Sequence, residues 1–312
     1  MRRGIVLGVL LLVAGLSMAA AGYQGQAQAG LAPAALAATQ IEKVKDNLYI
    51  IAGSSTSPRE AFSGGNTAVF ITNSGVVVVD TKLAGWGQVI LDRIKTVTNK
   101  PVTTIINTHT HGDHTGGNSA FGATVDIVAH ENTKSNMEKM DAFKGENASF
   151  LPKRTYKDKL TLGGGKDRID LYYFGRGHTN GDAWVVFPAL RTLHAGDMFA
   201  RKALPLIDGN NGGSAVEYGH SLQKAHDGIK DVDAIITGHG TLMKWADLRT
   251  HADFTKDFVK WALAEIKAGK SVDEAAAEYK VPEKYKDYSS DPPAFGGGMK
   301  GMIQRTYDEL KK

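Results

Sequence analysis

His109-Thr110-His111-Gly112-Asp113-His114 directly follows residues 102–107 (VTTIIN), an apolar run that reads as a buried strand. Three histidines and an aspartate within six residues are costly to hold together unless a cation compensates them. Imidazole and carboxylate are natural donors for zinc and similar divalent ions. Residues 113 and 114 point in different directions from 109 and 111, so this one loop can feed two metals. The bland alternative is a histidine-rich surface tract. The order of the residues and their place at a strand outlet argue against it.

Three further positions repeat this setting. His178 lies in Gly175-Arg176-Gly177-His178-Thr179, just past the strand-like run 168–174 (RIDLYYF). Asp197 lies in Gly196-Asp197 after 191–195 (RTLHA), and His239 in Gly238-His239-Gly240 after 232–237 (VDAIIT). Each sits at the outlet of an apolar run with glycine beside it. Strand ends at one edge of a sheet converge in space, and loops there carry function.

The remaining chain supplies the scaffold. Residues 47–52 (NLYIIA), 67–72 (TAVFIT), 124–129 and 183–187 (AWVVF) read as strands. Residues 76–79 (VVVV), ending at Asp80, form a continuous apolar strand of the fully buried kind. Helical spacing marks 86–97, 131–140 and 216–229, and then 245–268, 272–279 and 298–310. Strand, helix, strand successions imply crossovers with helices packed on the sheets. Two β-rich halves, each flanked by helices, suggest two sheets packed face to face with helices outside.

Composition narrows the function classes. Among 312 residues, 37 Lys and Arg face 33 Asp and Glu, a formal charge of +4. There is no run of five basic residues, so nucleic acid is not an expected partner. The absence of cysteine excludes disulfides, thiolate metal sites and a cysteine nucleophile. Any metal must be held by His, Asp or Glu.

At the N-terminus, Arg2-Arg3, an apolar run over 4–21 and Ala27-Gln28-Ala29 have the parts of a secretory signal peptide, residues 1–29. The competing reading is an uncleaved anchor. Residues 30–40 are expected to be a flexible leader, and the protein periplasmic or secreted, without stable membrane insertion after cleavage.

In this order, HTHGDH, GHT, GD and GHG resemble the metallo-β-lactamase superfamily, over about residues 41–245. The resemblance implies an α/β fold, a four-layer αβ/βα sandwich with the site along one edge of the two sheets, followed by a helical C-terminal extension at 246–312. It implies that His109, His111 and His178 hold one metal and Asp113, His114 and His239 a second, with Asp197 bridging both. Asp80 matches a family position that supports the site from behind the ligands. The cofactors it implies are two divalent ions, zinc by default, with iron or manganese compatible with the same donors. Such a pair shares a hydroxide that is nucleophilic near neutral pH, with Asp113 as the catalytic residue orienting it.

The implied reaction is hydrolysis of a small-molecule ester, thioester, lactone or amide, a β-lactam included. The well-known lactamases of the family carry cysteine or serine where this chain has Asp197; glyoxalase II, lactonase and phosphodiesterase relatives carry aspartate. The lactonases place a tyrosine three residues further on, where this chain has Ala200. The rival reading is an iron-dependent oxidoreductase of the same fold, similar to the persulfide dioxygenases. Oligomeric state is open.

Several other residues are weighed against plain packing. His130, His194, His220, His226 and His251 have no clustered partner and are expected to be structural. Trp86, Trp184 and Trp245 are expected in the core or at interfaces. Arg201 and Lys202 are candidates for holding a substrate carboxylate. Met137, Met140, Phe143 and Phe150, within 131–158, line a substrate flap or pack a helix. If the signal reading holds, protein recovered from periplasm or medium will lack residues 1–29 by mass spectrometry. An intact N-terminus in the membrane fraction would make it an anchored enzyme instead.

Overall fold

The computed structural model describes residues 31–53, 62–290 and 298–311. The expected signal peptide lies outside these. Among the described residues no helix is long and apolar enough to cross a membrane.

Seven strands form the first sheet in sequence order. They are β1 (Ile41–Lys45), β2 (Leu48–Ile51), β3 (Thr67–Ile71), β4 (Val76–Val79), β5 (Val102–Ile106), β6 (Asp126–His130) and β7 (Arg154–Tyr156). Hairpins make the β1–β4 pairs antiparallel, whereas β4 to β7 run parallel. The second sheet holds β8 (Lys159–Leu162), β9 (Ile169–Tyr172), β10 (Trp184–Phe187), β11 (Thr192–His194), β12 (Ala234–Ile236) and β13 (Met243–Lys244). Its order is β13-β12-β11-β10-β9-β8, with β11 and β12 its parallel pair.

Strand periodicity explains how two sheets make four layers. In β4, Val77 and Val79 face the second sheet, while Val76 and Val78 face outward under a helix. The same alternation in β10 sends Val185 and Phe187 inward and Trp184 and Val186 outward. Phe70 and Phe187 meet between the sheets with ring centroids 5.0 Å apart. Each fully buried side chain of this size contributes about 1.5–3 kcal/mol of transfer free energy. This offsets the cost of crowding polar groups at one edge.

Helices cover both outer faces. α1 (Pro33–Ala38) and α2 (Gly87–Lys95) lie on the first sheet's side; the site loops carry α3 (Gly112–Thr115) and α4 (Glu131–Met137). α5 (Ala215–Gly228), α6 (Trp245–Lys267), α7 (Val272–Glu278) and α8 (Gly298–Leu310) cover the second sheet. The expected C-terminal extension shares a core with that sheet: Phe254 and Tyr307 cluster with Trp184 and Leu193.

The expected flexible leader is instead a docked helix. Pro33 supplies a preset φ at the start of α1, and Ala35 is buried against Trp86 and Val89. Arg93 Nε donates to Thr39 O at 2.9 Å and Nη2 to Leu36 O at 3.3 Å. Arg93 on α2 therefore satisfies carbonyls at and just past the C-terminus of α1.

The remaining histidines divide by environment. His130 caps α4 and donates from Nε2 to Lys157 O at 2.7 Å, and His194 is buried against Asn66 O. His226 stacks on Trp245. His251, on α6, is buried with its ring stacked on Phe199 at 4.5 Å, and neither ring nitrogen has a hydrogen-bond partner. Burial pushes its imidazolium down from 6.5 to about 3. Between these values the unfolded chain binds the proton and the folded one does not, so stability rises with pH. In chelator-treated protein, falling pH from 6.5 toward 3 should cost about 1.4 kcal/mol per pH unit through this residue. His251→Phe should flatten that slope in urea unfolding at pH 7 and pH 5. An unchanged slope would show that His251 has a partner in solution.

Candidate metal centre

The first motif changes direction within six residues. His109 and Thr110 bend away from β5, His111 is extended, and Gly112 opens the single helical turn of α3, with His114 N and Thr115 N donating to His111 O at 3.0 Å. The turn carries Asp113 and His114, while His109 and His111 precede it, and the rings of His109 and His114 lie with centroids 4.2 Å apart.

Candidate donor atoms converge in three overlapping groups, each within 4.8 Å: His109, His111 and His178; His109, His114 and Asp197; and Asp113, His114 and His239. All seven predicted residues are thus brought together. Asp197 stands between the two outer groups: its carboxylate lies 3.5 Å from His114 Nε2, 3.6 Å from His178 Nε2 and 3.3 Å from His239 Nε2. Asp113 Oδ2 is 3.3 Å from His239 Nε2.

Hydrogen bonds behind the rings fix their tautomers. Thr108 Oγ1 donates to Asp80 Oδ2 at 2.7 Å, so it accepts from His109 Nδ1 at 3.0 Å. His114 Nδ1 donates to Asp80 Oδ2 at 2.7 Å. His178 Nδ1 donates to Leu206 O at 2.7 Å, and His111 Nε2 to Asp208 Oδ2 at 2.7 Å. Each neutral ring is left with one lone pair, and those lone pairs face one another: His111 Nδ1 and His178 Nε2 stand 2.9 Å apart. His109 Nε2 and Asp197 Oδ1 are buried without a hydrogen-bond partner. Converging lone pairs and orphaned buried acceptors fit a cation.

Charge in the protein alone is consistent with this. Burial lowers the His109 imidazolium well below its ordinary value, and the neighbouring His114, His178 and His111 lower it further. Burial alone would lower His239 too, but the carboxylates of Asp197 and Asp113 outweigh it and push the ring up to about 10. Burial would raise Asp113 and Asp197, yet their histidine neighbours hold both below the usual carboxylate range. The buried Asp197 and the partly exposed Asp113 therefore stay ionised among five imidazoles and favour positive charge between them.

Glycine allows this density. A Cβ on Gly238 would lie 1.9 Å from Asp197 Oδ1, and one on Gly65 would lie 2.2 Å from His114 Cε1. Gly238, beside His239 in sequence, and Gly65, distant in sequence, are thus spaces into which ligand side chains fold.

Two supporting residues escaped sequence reading. Asp208, behind His111, lies in a stretch (Ile207-Asp208-Gly209-Asn210-Asn211) that reads only as a turn. Lys82 is fully buried and donates from Nζ to Gly65 O at 2.7 Å, which holds the 63–66 loop against His114. Burial pushes its ammonium down to about 7 against the opposing pull of Asp80 and Asp113. Its adjacency to the buried Asp80 was the available signal. Asp80 itself, expected behind the ligands, is there.

The weighed residues fall on both sides. Lys202 is paired with Asp247 at 2.9 Å. Arg201 is half-buried beside the His239 loop, where its Cβ would touch a side chain placed at Gly240. Met137 and Phe143 are buried packing residues, while Met140 Sδ accepts from Thr110 Oγ1 at 3.4 Å, beside the motif.

Comparison with known proteins agrees with this architecture. The sequence profile of the Metallo-beta-lactamase superfamily matches residues 62–240, more than half of the chain and spanning all seven candidate ligands. A metallo-beta-lactamase type 2 from Elizabethkingia meningoseptica is 27% identical over 228 residues, covering 70% of this chain and 84% of that protein. One from Bacillus cereus is 25% identical over 187 residues, 56% of this chain and 66% of its own length. Among solved structures, a stereoselective inverting sec-alkylsulfatase from Pseudomonas sp. superposes with a TM-score of 0.68 at 17% identity. It covers 87% of this chain, which spans 50% of the sulfatase. A metallo-beta-lactamase from Pontibacter korlensis gives 0.59 at 21% identity over 70% of this chain and 98% of its own. At those identities the structural likeness speaks for the fold, and the sequence profile for the family. The chain belongs to the metallo-beta-lactamase superfamily.

Proposed function

We propose that this protein is an exported metal-dependent hydrolase with a two-metal site. The observation that carries the reading is the set of tautomer-fixed imidazoles whose lone pairs converge on the carboxylates of Asp113 and Asp197. His109, His111 and His178 would hold one ion, Asp113, His114 and His239 the other, and Asp197 would touch both. Zinc suits an all-nitrogen and oxygen set of this kind, which iron and manganese also accept. Bound divalent ions supply Lewis acidity and bring water's pKa toward neutrality.

The protein's own groups supply the rest. The Asp113 carboxylate is ionised and partly open to solvent, so it can accept a hydrogen bond from the attacking water and orient it. A carboxylate held this acidic is a poor place to store a proton, so its role is orientation. With no cysteine in the chain, the reading needs no covalent nucleophile.

We infer a small-molecule substrate bearing an ester, thioester, lactone or amide bond, a β-lactam included. The relatives named metallo-beta-lactamase and the structural likeness to an alkylsulfatase support hydrolysis as the class. With Lys202 committed to Asp247, Arg201, beside Gly240 in the His239 loop, is our candidate for holding an anionic substrate group. Export rests on the Arg2-Arg3 start and the apolar run behind it.

Elemental analysis of metal-replete protein should give close to two ions per chain, and chelation should abolish turnover on an ester, lactone and lactam panel. Asp197→Ala should lower affinity for the second ion by at least about 10-fold and remove most activity, with the circular dichroism spectrum unchanged. Full activity with two ions retained in Asp197→Ala would remove the bridge. Stoichiometric iron with dioxygen uptake and no hydrolysis would favour the oxidoreductase reading.

A further inference from the structure

We propose that α8 at the C-terminus is a positioning element for the first metal-binding group, acting through the 206–214 loop. The inference rests on the reading of His109, His111 and His178 as metal ligands.

That loop orients two of the three rings. Asp208 Oδ2 accepts from His111 Nε2, and Leu206 O accepts from His178 Nδ1, both at 2.7 Å. The backbone ties itself to the same histidine strand outlet: Asp208 N donates to His178 O at 2.9 Å and Ser214 N to Gly177 O at 2.9 Å. Asp208 is braced in turn by Asn210 N, Asn211 N and Asn211 Nδ2. A shift of this loop therefore moves both imidazoles.

Helix α8 grips the loop near both ends. Glu309 accepts from Ser214 Oγ at 2.6 Å, Ala215 N at 3.0 Å and Val216 N at 3.3 Å. Its negative charge meets unpaired N–H groups at the start of α5, where a helix favours an anion. Four residues earlier, and so on the same face, Arg305 lays its guanidinium over Gly209, where a Cβ would lie 1.9 Å from Nη1. Ile303, Thr306 and Tyr307 are buried between these contacts and anchor the helix to the second sheet's core. Glu309 and Arg305 touch no ligand themselves; they hold the loop that does.

The test uses full-length protein and Zn2+ titration against a chelator, with Co2+ absorption as a second signature of the first group. Asp208→Ala, which removes the direct support of His111, serves as the reference variant. Glu309→Ala should weaken the first-group ion by about 10-fold, the low end for supporting residues, and leave the Asp113, His114 and His239 group within about twofold. Glu309→Asp should restore most of the loss. Should Glu309→Ala fail to fold, Arg305→Ala decides by the same measurement. A lowered melting temperature with both affinities unchanged would reduce Glu309 to a helix cap and overturn the proposal while leaving the metal site standing. A folded wild-type chain that takes up no Zn2+ would remove the site reading and the proposal together.

Discussion

The Asp80 carboxylate joins the outlet of β4 to the first histidine motif, which lies 28 to 34 residues further along the chain. It accepts from Thr108 N at 2.8 Å, from Thr108 Oγ1 at 2.7 Å and from His114 Nδ1 at 2.7 Å. The first two bonds close the outlet of β4 on that of β5, and the third aims His114. Through Thr108 Oγ1 the same group also sets the proton on His109. Asp80 adopts a left-handed backbone, φ 63°, which aspartate tolerates better than most residues. This buried carboxylate is therefore shared between sheet and site, and it sets the orientation of His109 and His114.

Such a centre couples chemistry to folding. Burying the rings of His109, His114 and His178 with the carboxylates of Asp80 and Asp197 at one edge opposes folding unless the charges compensate each other. An ion bound among these groups would then contribute to the free energy of the folded chain. The two sheets with their buried valine, isoleucine and phenylalanine pairs supply the rigidity. The ligands sit on the loops those strands emit, so register sets where they start and the loops packed behind them, such as 206–214, set the aim of the rings.

Much of this was readable from residues alone because the cues were local. The HTHGDH order, the glycines beside His178, Asp197 and His239, and the unbroken VVVV strand each carry their reason within a few positions. What escaped depends on distance in sequence. Asp208 meets His111 across 97 residues, and nothing near it distinguishes a support from a turn. The segment before β1 looked mobile because Ala-rich, uncharged sequence carries no sign of what it will pack against; Trp86 and Arg93 supply that. Strands β7, β8 and β13 were missed because RTY, KLTL and MK are short and polar, with no two-residue alternation long enough to register.

Those same unpromising strands occupy the rims of the sandwich. Among the described residues the sheets end on β1 and β7, and on β13 and β8. β1 carries Glu42, Lys43 and Lys45 and is interrupted by a bulge; β7 has three residues, β13 two, and β8 begins with Lys159. Open rows of backbone donors and acceptors would otherwise template the addition of strands from other molecules. With charge, irregularity or brevity at every rim, the sandwich resists self-association into fibrils by the very features that made these strands hard to recognise.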